Sequence, residues 1–300
     1  MAEPMARELA LPTRAFVLGL ADDAGALDAA AVYDAADAVG FTTTRTRLAL
    51  RRLVEDGCLS IEGRGRAATL QLTHAGLAER KTDLTWVAAA HRLDAQIDHW
   101  DGTWHLVTFE IPEEFRAARD AIRNALIDLL AAPLGGGLYL SPWPLEPWIA
   151  PHASVLNVAD RVSHISASSI SVNGSRDPQE IAASLWPVEE LATRYAAFVG
   201  RWSDAAPIAD TGAAVRAAFG ASAEIEALLR IDPVLPSEAL PMDFAGPTAR
   251  QTYRDLLHRL RRDHPLLDRA NIFGAYDAAI SVALDQTSSE FWAAATAAGR

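Results

Sequence analysis

Six arginines crowd into one short stretch between Thr42 and Arg66: Arg45, Arg47, Arg51, Arg52, Arg64 and Arg66. Only Glu55, Asp56 and Glu62 oppose them there, in a chain whose formal net charge is −12. A guanidinium can chelate the acceptor pair on a guanine edge or clamp a phosphate. Thr42, Thr43 and Thr44 come just before the arginines. Hydroxyls and free backbone amides at a helix start can bond phosphate or base edges. Leu48 offers an apolar contact for a thymine methyl or for a neighbouring domain. Arg64 and Arg66 alternate with Gly63 and Gly65, which lets a hairpin tip approach a backbone or enter a minor groove. The chemistry these residues could do is to grip duplex nucleic acid, as a basic island on an acidic chain. The plainer reading is a solvated helix face beside a solvated turn.

Positioning that island requires elements, and the pattern supplies them in three blocks. The first spans residues 1–92. Thr13 can cap a short helix through Leu20, and a second helix spans Asp28 to Val39 and stops at Gly40. A third helix runs from Thr43 to Asp56. On a 100° wheel Thr46, Ala49, Leu50, Leu53 and Val54 share its packing side, and Thr44, Leu48, Arg52 and Glu55 face away. Leu59–Ile61 and Thr69–Thr73 read as a hairpin around the glycine turn. Three helices followed by a hairpin is the order of a winged helix-turn-helix.

Residues 93–176 read as a central βαββαβ domain of ferredoxin-like pattern. Its first strand is Trp104–Ile111, and Pro112 opens a helix that keeps its spacing through Phe115, Ala118, Ile122, Leu126 and Leu129 to about Ala132. After Gly135-Gly136-Gly137, short strands are expected at Leu138–Leu140 and Trp148–Ala150, then a short helix at Ser154–Asp160 and a last strand at Val162–Val172. Residues 177–300 read as all-helical, with helices at Pro178–Leu185, Val188–Arg201, Thr211–Phe219, Ala223–Leu229, Pro247–Arg262 and Ala275–Ala298. Asp232-Pro233-Val234-Leu235-Pro236 interrupts them as an extended segment. The class is α+β and helix-rich.

Composition narrows the function. Half of the residues are apolar and 22% are charged, as in a soluble globular protein. No apolar run is long enough to span a bilayer and no signal peptide is visible, so a cytoplasmic protein without membrane contact is expected. The single cysteine, Cys58, excludes an internal disulfide and reads as a small buried residue. The eight histidines show no zinc spacing, and His91 and His99 read as surface or partly buried. Phosphate-cradle and nucleophile-elbow motifs are absent. No cofactor, metal or catalytic residue is expected, so the chain does not read as an enzyme.

Three stretches resemble the PaaX family of bacterial repressors of phenylacetate catabolism. They are GFTTTRTRLALRRLVEDGCL at Gly40–Leu59; Trp100–Trp104 with Ile111-Pro112-Glu113, Arg116, Arg119 and Arg123; and Asp232–Pro236 with Leu240-Pro241, Phe244 and Ala249-Arg250. The resemblance implies a homodimer that binds a palindromic operator in double-stranded DNA. It also implies release by a small effector, typically an aryl-CoA thioester such as phenylacetyl-CoA. Arg250 and Tyr253 are candidates for effector contact, on a helix that also carries Arg254, His258, Arg259, Arg261 and Arg262. Trp100, Trp104, Trp143, Trp148, Trp186 and Trp202 could line the pocket or fill cores. The family's central domain is similar to a small CRISPR-adaptation nuclease, which raises a rival reading with Glu110 as metal ligand. A protein-interaction module without DNA binding is a third.

Overall fold

The computed structural model describes residues 13–204 and 207–292. They form a helix-rich α+β chain with two antiparallel sheets. The chain opens with α1 (Thr13–Leu18), β1 (Ala26–Asp28), α2 (Ala29–Ala38), α3 (Thr43–Glu55), β2 (Leu59–Glu62), β3 (Thr69–Leu72) and α4 (His74–Asp94). Asp28 caps α2 by accepting from the Ala31 amide at 3.1 Å. The three strands lie in the order β1-β3-β2. Leu27 and Ile61 flank Leu70 across the sheet, and Leu27, Leu59, Leu70 and Leu72 are buried with Phe16, Val32, Leu50 and Leu53. β1 and α4 were not foreseen. Three residues are too few to show alternation, and α4 lacks a strongly apolar stripe. Gly76 admits α4, since a Cβ there would stand 2.3 Å from the Cys58 carbonyl oxygen. Cys58 is buried, as expected.

The central stretch runs β4 (Trp104–Phe109), α5 (Arg116–Asp128), β5 (Ala132–Gly135), β6 (Leu138–Ser141), α6 (Glu146–Val155) and β7 (Val162–Ala167). Its strands lie antiparallel in the order β5-β6-β4-β7. Alternation along β4 sends Val107 and Phe109 to one face, against Ile122 and Leu126 of α5 and Ile149 and Ala153 of α6. Trp104 and Leu106 go to the other face, against Ile181, Trp186 and Leu235.

The element order is the expected βαββαβ, but several members are reassigned. Trp148–Ala150 is helical, inside α6, and not a strand. Pro147 and Pro151 hide that helix in the sequence; Pro147 sits in the first turn, where no amide partner is lost. The second strand is Ala132–Gly135, joined to β6 by Gly136 and Gly137. Both have positive φ (60° and 79°), as a tight two-residue hairpin turn requires. Pro112 leads into a 3-10 turn, Glu113–Phe115, and α5 starts only at Arg116. Phe115 is accordingly 38% exposed.

The remainder contains α7 (Pro178–Leu185), α8 (Val188–Trp202), α9 (Thr211–Leu229), α10 (Gly246–Asp263), α11 (Pro265–Arg269) and α12 (Gly274–Asp285). Two expected helices fuse into α9. Ala221 and Ser222 continue it as buried residues, and the Ser222 hydroxyl donates back to the Ala218 carbonyl at 2.7 Å. The expected helix from Ala275 to Ala298 ends at Asp285, and residues 293–298 lie outside the described residues.

Two compact units result. The first takes the chain through His91 together with 196–227 and 247–285. The second takes 92–195, 228–246 and the residues from 286 onward. Unlike the three sequence blocks, these units are not consecutive, and their boundaries fall inside α4, α8, α9 and the first turn of α10. In the second unit the Arg92 side chain, wholly buried, donates to both oxygens of Asp98 (2.7 and 2.9 Å), to the Gln286 carbonyl (2.9 Å) and to Ser288. Burial pushes the Asp98 carboxyl up, but hydrogen bonds from Arg92 and Ser288 outweigh it and hold the group below its ordinary range. Asp232, also in the second unit, accepts from the Tyr195 hydroxyl at 2.7 Å and the Val234 amide at 2.8 Å. The Val234 carbonyl in turn accepts from Trp143 Nε1 at 2.8 Å. This explains why the proline-flanked segment holds one extended path although Val234 has a positive φ of 52°.

Candidate nucleic-acid interface

The basic island maps onto α3 and the β2–β3 hairpin of the first unit. Thr42 is the N-cap of α3, and its hydroxyl oxygen accepts from the Arg45 amide at 3.2 Å. Thr46, Ala49, Leu50 and Leu53 are buried and fix the helix by one side. Phe41 anchors the start, with its ring 5.3 Å from Phe16 in an edge contact and the Arg45 guanidinium stacked 3.7 Å above it. Val54, expected on the packing side, is 40% exposed. It lies beside Leu53, which is buried, at the edge of the packing side.

The opposite side is open. Thr42, Thr43, Thr44, Arg45, Arg47, Leu48, Arg51 and Arg52 are all exposed, as are Arg64 and Arg66. Leu48 is 46% exposed. Arg51 is paired with Glu55 along the helix at 2.7 Å. Arg47, Arg52 and Arg64 make no ion pair among the described residues.

Helix and hairpin come together at one concavity. Thr43, Thr46 and Arg47 of α3, Gly65 and Arg66 of the hairpin, and Tyr33, Asp37 and Phe41 line it. Gly63 and Gly65 both have positive φ (88° and 62°), which the hairpin tip requires. The pattern did not reveal that Arg66 is engaged. Its guanidinium pairs with Asp34 of α2, and Arg269 of α11 pairs with the other oxygen of the same carboxylate. The hydrogen bond from Arg66 holds the Asp34 carboxyl below its ordinary range against a small opposing effect of burial, with Arg269 assisting. Asp34, Asp37, Tyr33 and Arg269 were therefore missed. Their partners lie tens or hundreds of residues away in sequence, and no local spacing marks such a pairing.

The other candidates are dispersed. Arg250 and Tyr253 are buried in the first unit and not on a solvated helix face, with the Tyr253 hydroxyl 2.7 Å from Ser222 Oγ. Burial pushes the Tyr253 phenol well above its ordinary value. The tryptophans are scattered too. Trp104 and Trp186 are core residues of the second unit, with Trp100 packed beside them. Trp202 bonds Glu224 in the first. His91 is buried, contrary to expectation, because α4 turns it inward; His99 is exposed. Glu110 is exposed just past β4, and among the described residues no three acidic, histidine or cysteine side chains gather to hold a metal ion. No helix among the described residues is long and apolar enough to cross a membrane.

Comparison with known proteins bears on the chain beyond this site. Residues 97–182 match the family model of the PaaX protein central Cas2-like domain, and residues 186–265 match that of the PaaX-like protein C-terminal domain. Among curated proteins none matches. Among solved structures, "Uncharacterized protein Rv0674 from Mycobacterium tuberculosis" is similar at 23% identity with a TM-score of 0.55, covering 90% of this chain and 99% of that one. That likeness speaks for the fold alone. The two family segments together span more than half of the chain, and the chain belongs to the PaaX family of transcriptional regulators.

Proposed function

We propose that this PaaX-family chain is a DNA-binding repressor and not an enzyme. In this reading the elements through α4 form a winged helix-turn-helix, with α3 as the recognition helix and the β2–β3 hairpin as the wing. The βαββαβ stretch is a ferredoxin-like domain that holds a homodimer together. Two α3 helices then enter successive major grooves of a palindromic operator, with half-sites one or more helical turns apart. Arg47 and Arg52 reach base edges or phosphates, Thr42 to Thr44 set the helix start on a phosphate, and Arg64 lies toward the neighbouring backbone or minor groove.

The observation that carries the reading is the concavity shared by Arg47 and Thr43 of α3 with Gly65 and Arg66 of the hairpin. It gives cations from two elements one common target. Release by an aryl-CoA thioester is what the resemblance to the family implies for this chain. Such a ligand would act by binding better to an arrangement of the two DNA-binding parts that misfits the operator.

A gel shift on the upstream region of the protein's own gene tests this, repeated with CoA thioesters and free aromatic acids. The wild type is expected to shift the fragment and a thioester to reverse the shift. The double variant Arg47→Ala, Arg52→Ala should lose the shift while its oligomeric state, read by sedimentation, is unchanged. No shift even at low salt would leave an interaction module. Cleaved DNA with magnesium or manganese, abolished by Glu110→Ala, would favour the nuclease.

A further inference from the structure

Arg66 faces two demands. It lines the concavity with Arg47 and Thr43, yet its guanidinium hydrogen-bonds Oδ1 of Asp34 on α2. Asp37, about one turn along the same helix, also attracts it. To grip a phosphate Arg66 must leave Asp34, and a carboxylate stripped of its cation repels a phosphate brought near it. Asp34, however, has a second partner. Its Oδ2 accepts a hydrogen bond from Arg269 of α11. The side chains of Arg66 and Arg269 are 57% and 55% exposed, so either can change partners with little loss of packing.

The two cations differ in what holds their backbone. Arg66 stands on the short hairpin turn Gly65–Ala67, which has no buried residue. Arg269 ends α11, and the core fixes that helix on both flanks. Leu267 and Ala270 are buried beside it, with Ile272 just beyond. The Phe273 amide donates to the Gly19 carbonyl at 2.7 Å. The Phe273 ring packs on Phe219, 4.9 Å between centroids, and Phe219 packs on Phe16 at 4.6 Å. One partner of Asp34 is therefore anchored, and the other is mounted on an exposed tip. We propose that Arg269 is a positioning residue of the nucleic-acid face, which keeps the Asp34 carboxylate neutralised when Arg66 turns to a DNA phosphate. The proposal rests on the DNA-binding reading, and Arg269 itself touches no DNA in it. Without Arg269, both Asp34 oxygens are open to Arg66, a two-bonded grip that holds the wing cation back. The arginine-rich stretch then depends on a residue far outside it in sequence.

The test is a double-mutant cycle on the full chain, read by fluorescence anisotropy on the gene's own upstream duplex. Arg269→Gln should weaken binding about two- to fivefold, the scale of an exposed ion pair. Arg269→Lys, which keeps the charge, should recover most of that loss. In the Asp34→Asn background Arg269→Gln should leave affinity unchanged, because no carboxylate remains to be held. A merely structural role predicts otherwise. A loosened α11 would weaken binding in both backgrounds and lower the melting temperature, which exposed substitutions leave nearly unchanged. Should Arg269→Gln fail to fold, Arg269→Met, with its apolar stem kept, takes its place. Unchanged affinity for the single variant, a loss that lysine does not recover, or a loss that persists without the Asp34 carboxylate would overturn the proposal. If the double variant Arg47→Ala, Arg52→Ala still loses binding, those results leave the DNA-binding reading standing. A wild type that does not bind the duplex would remove both.

Discussion

Arg92 in the second unit and Arg47 on α3 of the first carry the same side chain in opposite surroundings. Arg92 has no exposed surface and spends its donors on Asp98, Gln286 and Ser288, with the Phe291 ring 4.8 Å from its guanidinium. Arg47 is exposed and makes no ion pair among the described residues. A buried charge survives only when its hydrogen bonds are filled, so Arg92 holds structure. An exposed charge contributes little to stability, so Arg47 and Arg52 on α3 can serve a partner at little cost to the fold. Composition cannot separate the two uses; burial and partners do.

The contrast can be broken most strongly at Arg92. Arg92→Ala leaves the Asp98 carboxylate buried without its partner, which should cost about 3–5 kcal/mol in denaturant unfolding. The double variant Arg47→Ala, Arg52→Ala should cost less than about 0.5 kcal/mol per site in the same assay. On DNA the order reverses. The double variant should lose about 100-fold or more in affinity, at roughly 1–3 kcal/mol per base-reading arginine.

Acid sharpens the comparison within the second unit. The folded Asp98 carboxyl titrates below its unfolded value. Its stabilisation is therefore complete above about pH 4, the unfolded value, and is lost as pH falls from there toward the folded one. A melting-temperature series should fall more steeply below about pH 4 for the wild type than for Asp98→Asn, which has no carboxyl to protonate.

Smaller effects probe the first unit. Asp34 holds Arg66 together with Arg269 and so competes with any phosphate for that cation. Asp34→Asn should tighten DNA binding about two- to fivefold, at the scale of an exposed pair, as measured by fluorescence anisotropy. Leu48→Ala should leave the melting temperature unchanged and weaken the preference for thymine at one base step, the loss of an apolar contact to its methyl.

The α3 face was legible because a helix wheel needs only local spacing, and its buried residues, Thr46, Ala49, Leu50 and Leu53, lie where the wheel puts them. The hairpin was legible through its glycines. Trp148–Ala150 misled, because aromatic and branched residues beside two prolines look extended until tertiary packing selects α6. The three-residue strand Ala26–Asp28 exists only through its pairing with Thr69–Gln71. At the candidate site the exposed cations could be named from sequence. The Asp34 clasp on Arg66 could not, since it joins α2, the hairpin and α11 across the fold.

The regulator reading stands or falls on whether the exposed arginines of α3 and the adjoining hairpin grip a duplex. Fluorescence anisotropy on the gene's own upstream duplex, titrated with salt, measures this most directly. The wild type should bind with a steep negative dependence of log affinity on log salt. Removing Arg47 and Arg52 should weaken binding and flatten the slope by about 0.9 for each phosphate no longer neutralised. Equal affinity and equal slope for the two proteins would contradict the account.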